Sequence, residues 1–270
     1  MRVMLNDPAR GEALLARKRE FGERARAYGM REEFLKGDTR DRVLEHLEPV
    51  TDEIALDLGA GPGAMSVSLA PFVRRVIALD LAPEMLRAGQ LAARRVGRMP
   101  ALPVAGDAAR LPLRDASVQV IACRHAVRLF GDPAPVAREL ARVLSLGGRV
   151  VIVDAMASGD EQVDSVLAAL EALHAGGDVT LRTGDQWREI LMAAGLRVDW
   201  LDHSLYELQA GRSLLEWFSA SGASTDVFVR ARQMLADAPR AVRDHLRVLL
   251  HGEDIQFHPP LGIIAARRVG

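Results

Sequence analysis

One cysteine, two lysines and two tyrosines in 270 residues define what this chain does without. A lone thiol, Cys123, excludes an intramolecular disulfide and a cysteine-based zinc site, fits a reducing compartment, and leaves no metal site to expect. Lys18 and Lys36 apart, the cationic side chains are arginine, a bias of composition rather than a phosphate-binding signal. The formal net charge is −1, so no global positive field draws in nucleic acid, and none is expected as a partner. No apolar run reaches the roughly 20 residues that a bilayer crossing needs. Met1-Arg2-Val3-Met4-Leu5-Asn6-Asp7-Pro8 lacks the apolar stretch of a signal peptide, so the cytoplasm is the expected location. Internal repeats, heptads and low-complexity tracts are absent. So is any recognisable Ser-His-Asp or paired-carboxylate arrangement.

What the chain has is enough apolar material, 49% of its residues, to form one sizeable core. Its most informative stretch is Gly59-Ala60-Gly61-Pro62-Gly63, which follows the apolar run Ile54-Ala55-Leu56-Asp57-Leu58 and precedes a helical pattern from Ala64 to Ala70. Glycines between a strand and a helix let the backbone turn sharply and let a ligand reach N–H groups at the helix start. Val76-Ile77-Ala78-Leu79 reads as the next strand and ends at Asp80. About 20 residues is the separation expected of a crossover helix, and an acid at that strand end can accept hydrogen bonds from both hydroxyls of a ribose. An adenosine-containing cofactor follows. The glycines alone do not separate NAD from S-adenosylmethionine.

The alternation continues. Strands are predicted near 53–58, 75–80, 102–106, 117–122 and 149–154, with helices near 63–71, 83–94 and 132–144, a pattern of a parallel sheet covered on both faces. Amphipathic helices over 9–27 and 38–48 precede it, the second with Asp38 or Thr39 as N-cap. After Asp154 come helical stretches near 160–174 and 185–194, a strand near 196–205, helical pattern between 211 and 249, and a last strand over 255–267 that Pro259-Pro260 confines to an edge or bulge.

The block from Asp57 to Asp154 resembles the small-molecule class I S-adenosylmethionine-dependent methyltransferases, close to the ubiquinone/menaquinone C-methyltransferase-like branch. The matching segments are Leu56 to Gly63, Ala78 to Leu86, Gly106-Asp107-Ala108-Ala109-Arg110-Leu111-Pro112, Arg138 to Leu144 and Gly147 to Asp154. The resemblance implies a doubly wound, mostly parallel seven-stranded sheet, with S-adenosylmethionine as cofactor and S-adenosylhomocysteine as product. It implies that Gly59, Gly61 and Gly63 line the methionine portion, that Asp80 holds the ribose, that Leu81 and Met85 flank the adenine, and that Asp107 accepts from the adenine amino group. Asp57, Ala60, Ala108 and Cys123 complete the implied cofactor set, and Tyr28 matches an N-terminal aromatic folded over the cofactor.

The expected organisation is a single domain: a helical cover over 1–50, a cofactor-binding core over 51–155, and a C-terminal half over 156–270. Roughly fifty residues near 206–254 replace the family's short hairpin and are expected to form a helical substrate lid, in which Leu214, Leu215, Trp217, Phe218, Val227, Phe228 and Leu235 line a pocket or pack the helices together. His125, just past the fourth strand, is a candidate general base or a structural histidine. His174 is a second candidate, with Asp178, on a glycine-bearing segment that reads as a hinge or a solvated turn. Arg124 and Arg128 are candidates for an anionic substrate or for ordinary salt bridges.

The chain departs from the family where acceptor chemistry resides. Val118-Gln119-Val120-Ile121 replaces Phe-Asp-Val-Val, Val127-Arg128 replaces His-His, and His174-Ala175-Gly176-Gly177-Asp178 replaces Arg-Asp-Pro-Ser-His. The expected function is therefore methyl transfer to a small cyclic or phenolic specialised metabolite rather than to the standard quinone precursor, by a monomer or homodimer. The alternatives are a cyclisation, rearrangement or decarboxylation that retains the cofactor, and a noncatalytic cofactor-bound module that docks a partner.

Overall fold

Val150-Val151-Ile152-Val153 is apolar at every position and buried at every position, as expected of a strand covered on both faces. It is the centre of β5 (Leu144–Ala155) in a computed structural model that describes residues 8–28, 38–95, 101–205 and 211–270. The other strands of the main sheet are β1 (Ile54–Leu58), β2 (Arg75–Asp80), β3 (Leu102–Ala105), β4 (Val118–Arg124), β6 (Leu196–Leu205) and β10 (Leu261–Arg268). Their order is β3-β2-β1-β4-β5-β10-β6, with β10 antiparallel to both of its neighbours and the pairs from β3 to β5 parallel. Strand order reverses between β1 and β4, and a doubly wound sheet opens its ligand crevice at that point, outside the carboxyl ends of the strands.

Two buried layers flank the sheet, as strand alternation requires. On one side Leu56, Leu58, Ile121 and Ile152 meet Val136 and Leu140 of α5 (Pro133–Val143) and Trp187 of α7 (Gly184–Ala193). On the other, Ala55, Val120 and Val151 meet Val43 and Leu47 of α2 (Asp38–Leu47) and Met65 and Leu69 of α3 (Ala64–Leu69). The helix starts carry their own signals. Asp132 caps α5 by accepting from Ala134 N at 3.0 Å, with Pro133 in the first turn, and Thr183 and Gln186 form a reciprocal capping box on α7. α1 (Pro8–Tyr28) and α4 (Pro83–Arg95) lie at the β1–β2 end, where Ala25 and Phe21 pack on Met85.

The excursion between β6 and β10 is helical only in part. α8 (Leu214–Ser221), α9 (Thr225–Asp237) and α10 (Arg240–His245) are joined by an antiparallel sheet of β7 (Arg212–Ser213), β9 (Asp254–Phe257) and β8 (Leu249–His251). The single strand expected over 255–267 is thus two strands in two sheets. Pro259-Pro260 lies between them, because two successive residues without a ladder N–H interrupt pairing. Leu214, Phe218 and Leu235 are buried together with Leu170 of α6 (Glu161–Ala175) in a core of their own, against which Val227 and Phe228 pack, while Leu215 is exposed.

Candidate functional site

The residues after β1 form a coil of left-handed turns. Gly59, Gly61 and Gly63 have φ of 68°, 51° and 84°. At Gly59 a side chain would strike the Ala126 methyl, since a Cβ there would lie 2.4 Å from it. At Gly61 a Cβ would meet nothing within 4 Å and would project into open space. That is a cradle whose floor is backbone, as close approach by a ligand requires.

Two acids hold the coil in place. Asp57 Oδ2 accepts from both N and Oγ of Ser66, each at 2.7 Å, pinning the start of α3 to the sheet. Burial pushes its carboxyl up to about 6, against the pull of those hydrogen bonds. Asp80, at the tip of β2, accepts from Gly61 N at 2.8 Å and from Ala82 N at 2.9 Å. Burial raises its pKa as well. Asp107, beyond β3, accepts from Ala109 N at 2.9 Å and from the Arg10 guanidinium at 2.8 Å.

A cavity of about 560 Å³ opens over these elements. Gly59, Ala60, Gly61, Asp80, Leu81, Met85, Asp107 and Ala108 line it, and so do His125 and His174. Asp57, Gly63 and Cys123 are not among its lining residues. Asp57 and Cys123 are buried in the sheet, where burial also raises the thiol pKa well above its ordinary value; Gly63 precedes α3 as its N-cap. Tyr28 is the last residue of α1, and its side chain lies outside the described residues.

His125 sits in the left-handed region, at φ 58°, with its N–H donated to Val153 O at 2.7 Å. A non-glycine residue held there is the kind of local strain that recurs at functional sites. His174 belongs to the last turn of α6 rather than to a loop. Gly176, at φ 74°, caps that helix, its N–H donating to Ala172 O at 2.9 Å, so the expected hinge is a folded helix end. The His174 ring stacks on Trp217 at 4.1 Å, and its Nδ1 has no hydrogen-bond partner. Burial, with the guanidiniums of Arg128, Arg212 and Arg24 around it, holds His174 well below the usual histidine range. Its Nδ1 nitrogen is enclosed by protein.

Arg128 is buried and committed. Its guanidinium donates to Asp154 at 2.6 Å and to Glu171 at 2.8 Å, and its N–H to Asp154 at 3.1 Å. Arg124 donates to the Thr39 hydroxyl at 2.9 Å. Both are cavity-lining residues. The sequence pointed to an N-terminal helical cover but not to the residues by which α1 lines the cavity: Leu14, Arg17 and Phe21. Their spacing of three and four residues marks one helical face, a signal that the amino-acid order itself carries.

A family model described as a methyltransferase domain matches residues 56–152. The Mycobacterium tuberculosis protein named Uncharacterized methyltransferase Rv3342 is 30% identical over 201 residues, 73% of this chain and 79% of that one. The chain belongs to the S-adenosylmethionine-dependent methyltransferases. Uncharacterized methyltransferase YcgJ of Bacillus subtilis is 26% identical over 239 residues, 88% of this chain and 93% of that one. The crystal structure of YcgJ has the same fold, with a TM-score of 0.75 at 24% identity over 86% of this chain and 98% of that one. The demethylmenaquinone methyltransferase of Thermobifida fusca is 37% identical over 117 residues, 43% of this chain and about half, 49%, of that enzyme. This methyltransferase therefore uses S-adenosylmethionine, and the glycine cradle flanked by Asp80 and Asp107 fits an adenosyl ligand. Among the described residues, no helix is long and apolar enough to cross a membrane.

Proposed function

We propose that this methyltransferase alkylates a small cyclic or phenolic metabolite of specialised metabolism, with cofactor and acceptor together in the one cavity. When bound, S-adenosylmethionine supplies an electrophilic methyl carbon on its sulfonium. The backbone of Gly59 to Gly61 receives the methionine portion. Asp80 already accepts from Gly61 N and Ala82 N and turns its remaining lone pairs toward the ribose hydroxyls. Leu81 and Met85 flank the adenine, with Asp107 at its amino group. Gly63 and Asp57 act through the coil rather than by contact.

Transfer to a hydroxyl needs a site for the departing proton and exclusion of water. The observation that carries the reading is the shared wall: His125, His174 and Trp217 line the same cavity as Asp80 and Asp107. His125 is the candidate to receive the proton, His174 hydrogen-bonds the acceptor, and Trp217 and Phe130 present apolar surface to its ring. His125, on its strained turn, positions the acceptor from the β4 side. In this reading α1 covers the cavity, the elements from β1 to β5 hold the cofactor, and β7 to β9 with α8 to α10 form the substrate lid.

Calorimetric titration with S-adenosylmethionine and mass spectrometry of products from a metabolite extract test this. A product heavier by one methyl group, formed with equimolar S-adenosylhomocysteine, is the expected result. A product of unchanged mass with no cofactor consumed supports a cyclisation or rearrangement instead, and absence of heat at millimolar cofactor overturns the reading.

A further inference from the structure

Arg17 sits on the cavity face of α1 with far more donors than partners. A guanidinium has five N–H groups. One of them donates to the backbone carbonyl of Asp178, and among the described residues Arg17 makes no ion pair. Asp178 and Glu20 lie near enough to favour its charge, but Glu20 is bonded to Arg24 at 2.6 Å. Partial burial works against the charge and lowers the pKa, with the Arg128 cation adding to that effect and Asp178 opposing it.

The other cavity arginines are occupied. Arg128 is held by Asp154 and Glu171, Arg124 by Thr39, and Arg212 lies over the Trp217 ring at 5.1 Å. Arg17 is therefore the cation that a ligand can claim at least cost to the fold.

Arg17 and His174 meet at the same structural corner. α1 runs across the C-terminal end of α6, with Arg24 donating to the His174 carbonyl at 2.7 Å and Arg17 to that of Asp178. His174 is 6% exposed and lines the cavity, with its Nδ1 enclosed by protein. One wall thus offers a planar, bidentate donor fork and an imidazole beside an aromatic stack. A fork of that geometry matches the two oxygens of a carboxylate, and a neutral imidazole nitrogen matches an O–H.

Resting on the methyl-transfer reading of this cavity, we propose that the acceptor is a hydroxylated aromatic carboxylate, its carboxylate paired with Arg17 and its hydroxyl hydrogen-bonded to His174. The carboxylate anchors the ring, and the hydroxyl is the group that is methylated.

The test is a calorimetric titration of the protein loaded with S-adenosylhomocysteine. The probes are salicylate and 4-hydroxybenzoate, their neutral amides salicylamide and 4-hydroxybenzamide, plain benzoate, and phenyl phosphate. At least one hydroxy acid is expected to bind tenfold or more tightly than its amide and several-fold more tightly than benzoate. Arg17→Gln is expected to reduce the acid-over-amide preference to within twofold, with S-adenosylhomocysteine affinity unchanged, and Arg17→Lys to restore part of it. His174→Phe, which keeps a ring against Trp217, is expected to remove the advantage over benzoate while keeping the acid-over-amide preference. Cofactor-product binding without any acid-over-amide preference overturns this inference alone. So does a preference that survives Arg17→Gln, or tighter binding of phenyl phosphate than of any carboxylate. Absence of S-adenosylhomocysteine binding overturns the methyl-transfer reading and this inference with it.

Discussion

Arg10 on α1 and Asp107 beyond β3, 97 residues apart in the chain, are joined by an ion pair of 2.8 Å. The first helix is thereby fastened to the acid expected at the adenine. Both side chains keep solvent contact, with 48% and 28% exposure, so the pair itself contributes under about 1 kcal/mol. Arg10→Ala is expected to leave the melting temperature nearly unchanged. Asp107→Ala removes hydrogen bonds of about 1.5–3 kcal/mol to a charged acceptor, so S-adenosylmethionine should bind about tenfold or more weakly by calorimetry.

Gly59→Ala and Gly61→Ala should separate folding from binding. Both place an L-residue at positive φ, a strain of about 1–2 kcal/mol. Gly59→Ala adds a collision with Ala126 and should lower the melting temperature further. Gly61→Ala meets open space, so thermal unfolding should show only the strain while cofactor titration shows the loss of the cradle.

Asp57 gives a dependence of stability on pH with a defined sign. Its folded value of about 6 lies above the ordinary carboxylate value near 4. The folded state therefore holds a proton that the unfolded chain has released, and the associated stability, present below about pH 4, is lost as pH rises through about 6. Urea titrations at pH 4.5 and 7.5 should show wild type losing stability relative to Asp57→Asn as pH rises, by an amount on the order of 2 kcal/mol.

Arg128→Met should be among the most damaging single changes. It leaves Asp154 and Glu171 buried with their shared cation gone, and breaking a buried pair in this way costs about 3–5 kcal/mol. Denaturant midpoints measure it. If the midpoint barely moves, the triad is not holding α6 to the sheet.

The cavity lining from Gly59 to Ala108 was legible in the sequence because its determinants are local. A glycine coil and an acid at each strand tip have fixed spacing, and the residues from Gly59 to Ala108 that line the cavity follow from them. β2 and β6 even have the bounds their patterns suggest. The acceptor half was harder to read. Arg17 acquires meaning only when α1 crosses the end of α6, a contact between residues 161 positions apart. His174 read as part of a loop because two glycines follow it, yet the first of them is a helix cap. The stretch from Ile255 to Arg267 has one strand-like composition and two destinations, since sheet membership is settled by tertiary pairing rather than by residue preference.

Leu205 and Leu261 stand opposite one another on adjacent strands. The whole detour of β7 to β9 and α8 to α10 therefore departs and rejoins the main sheet at a single rung. Closing such a detour costs little more when it lengthens, because the entropy grows only with the logarithm of its length. The detour can thus change in length while the ladder on either side keeps its register, which makes the rung a point where chain can be grafted without re-pairing the main sheet.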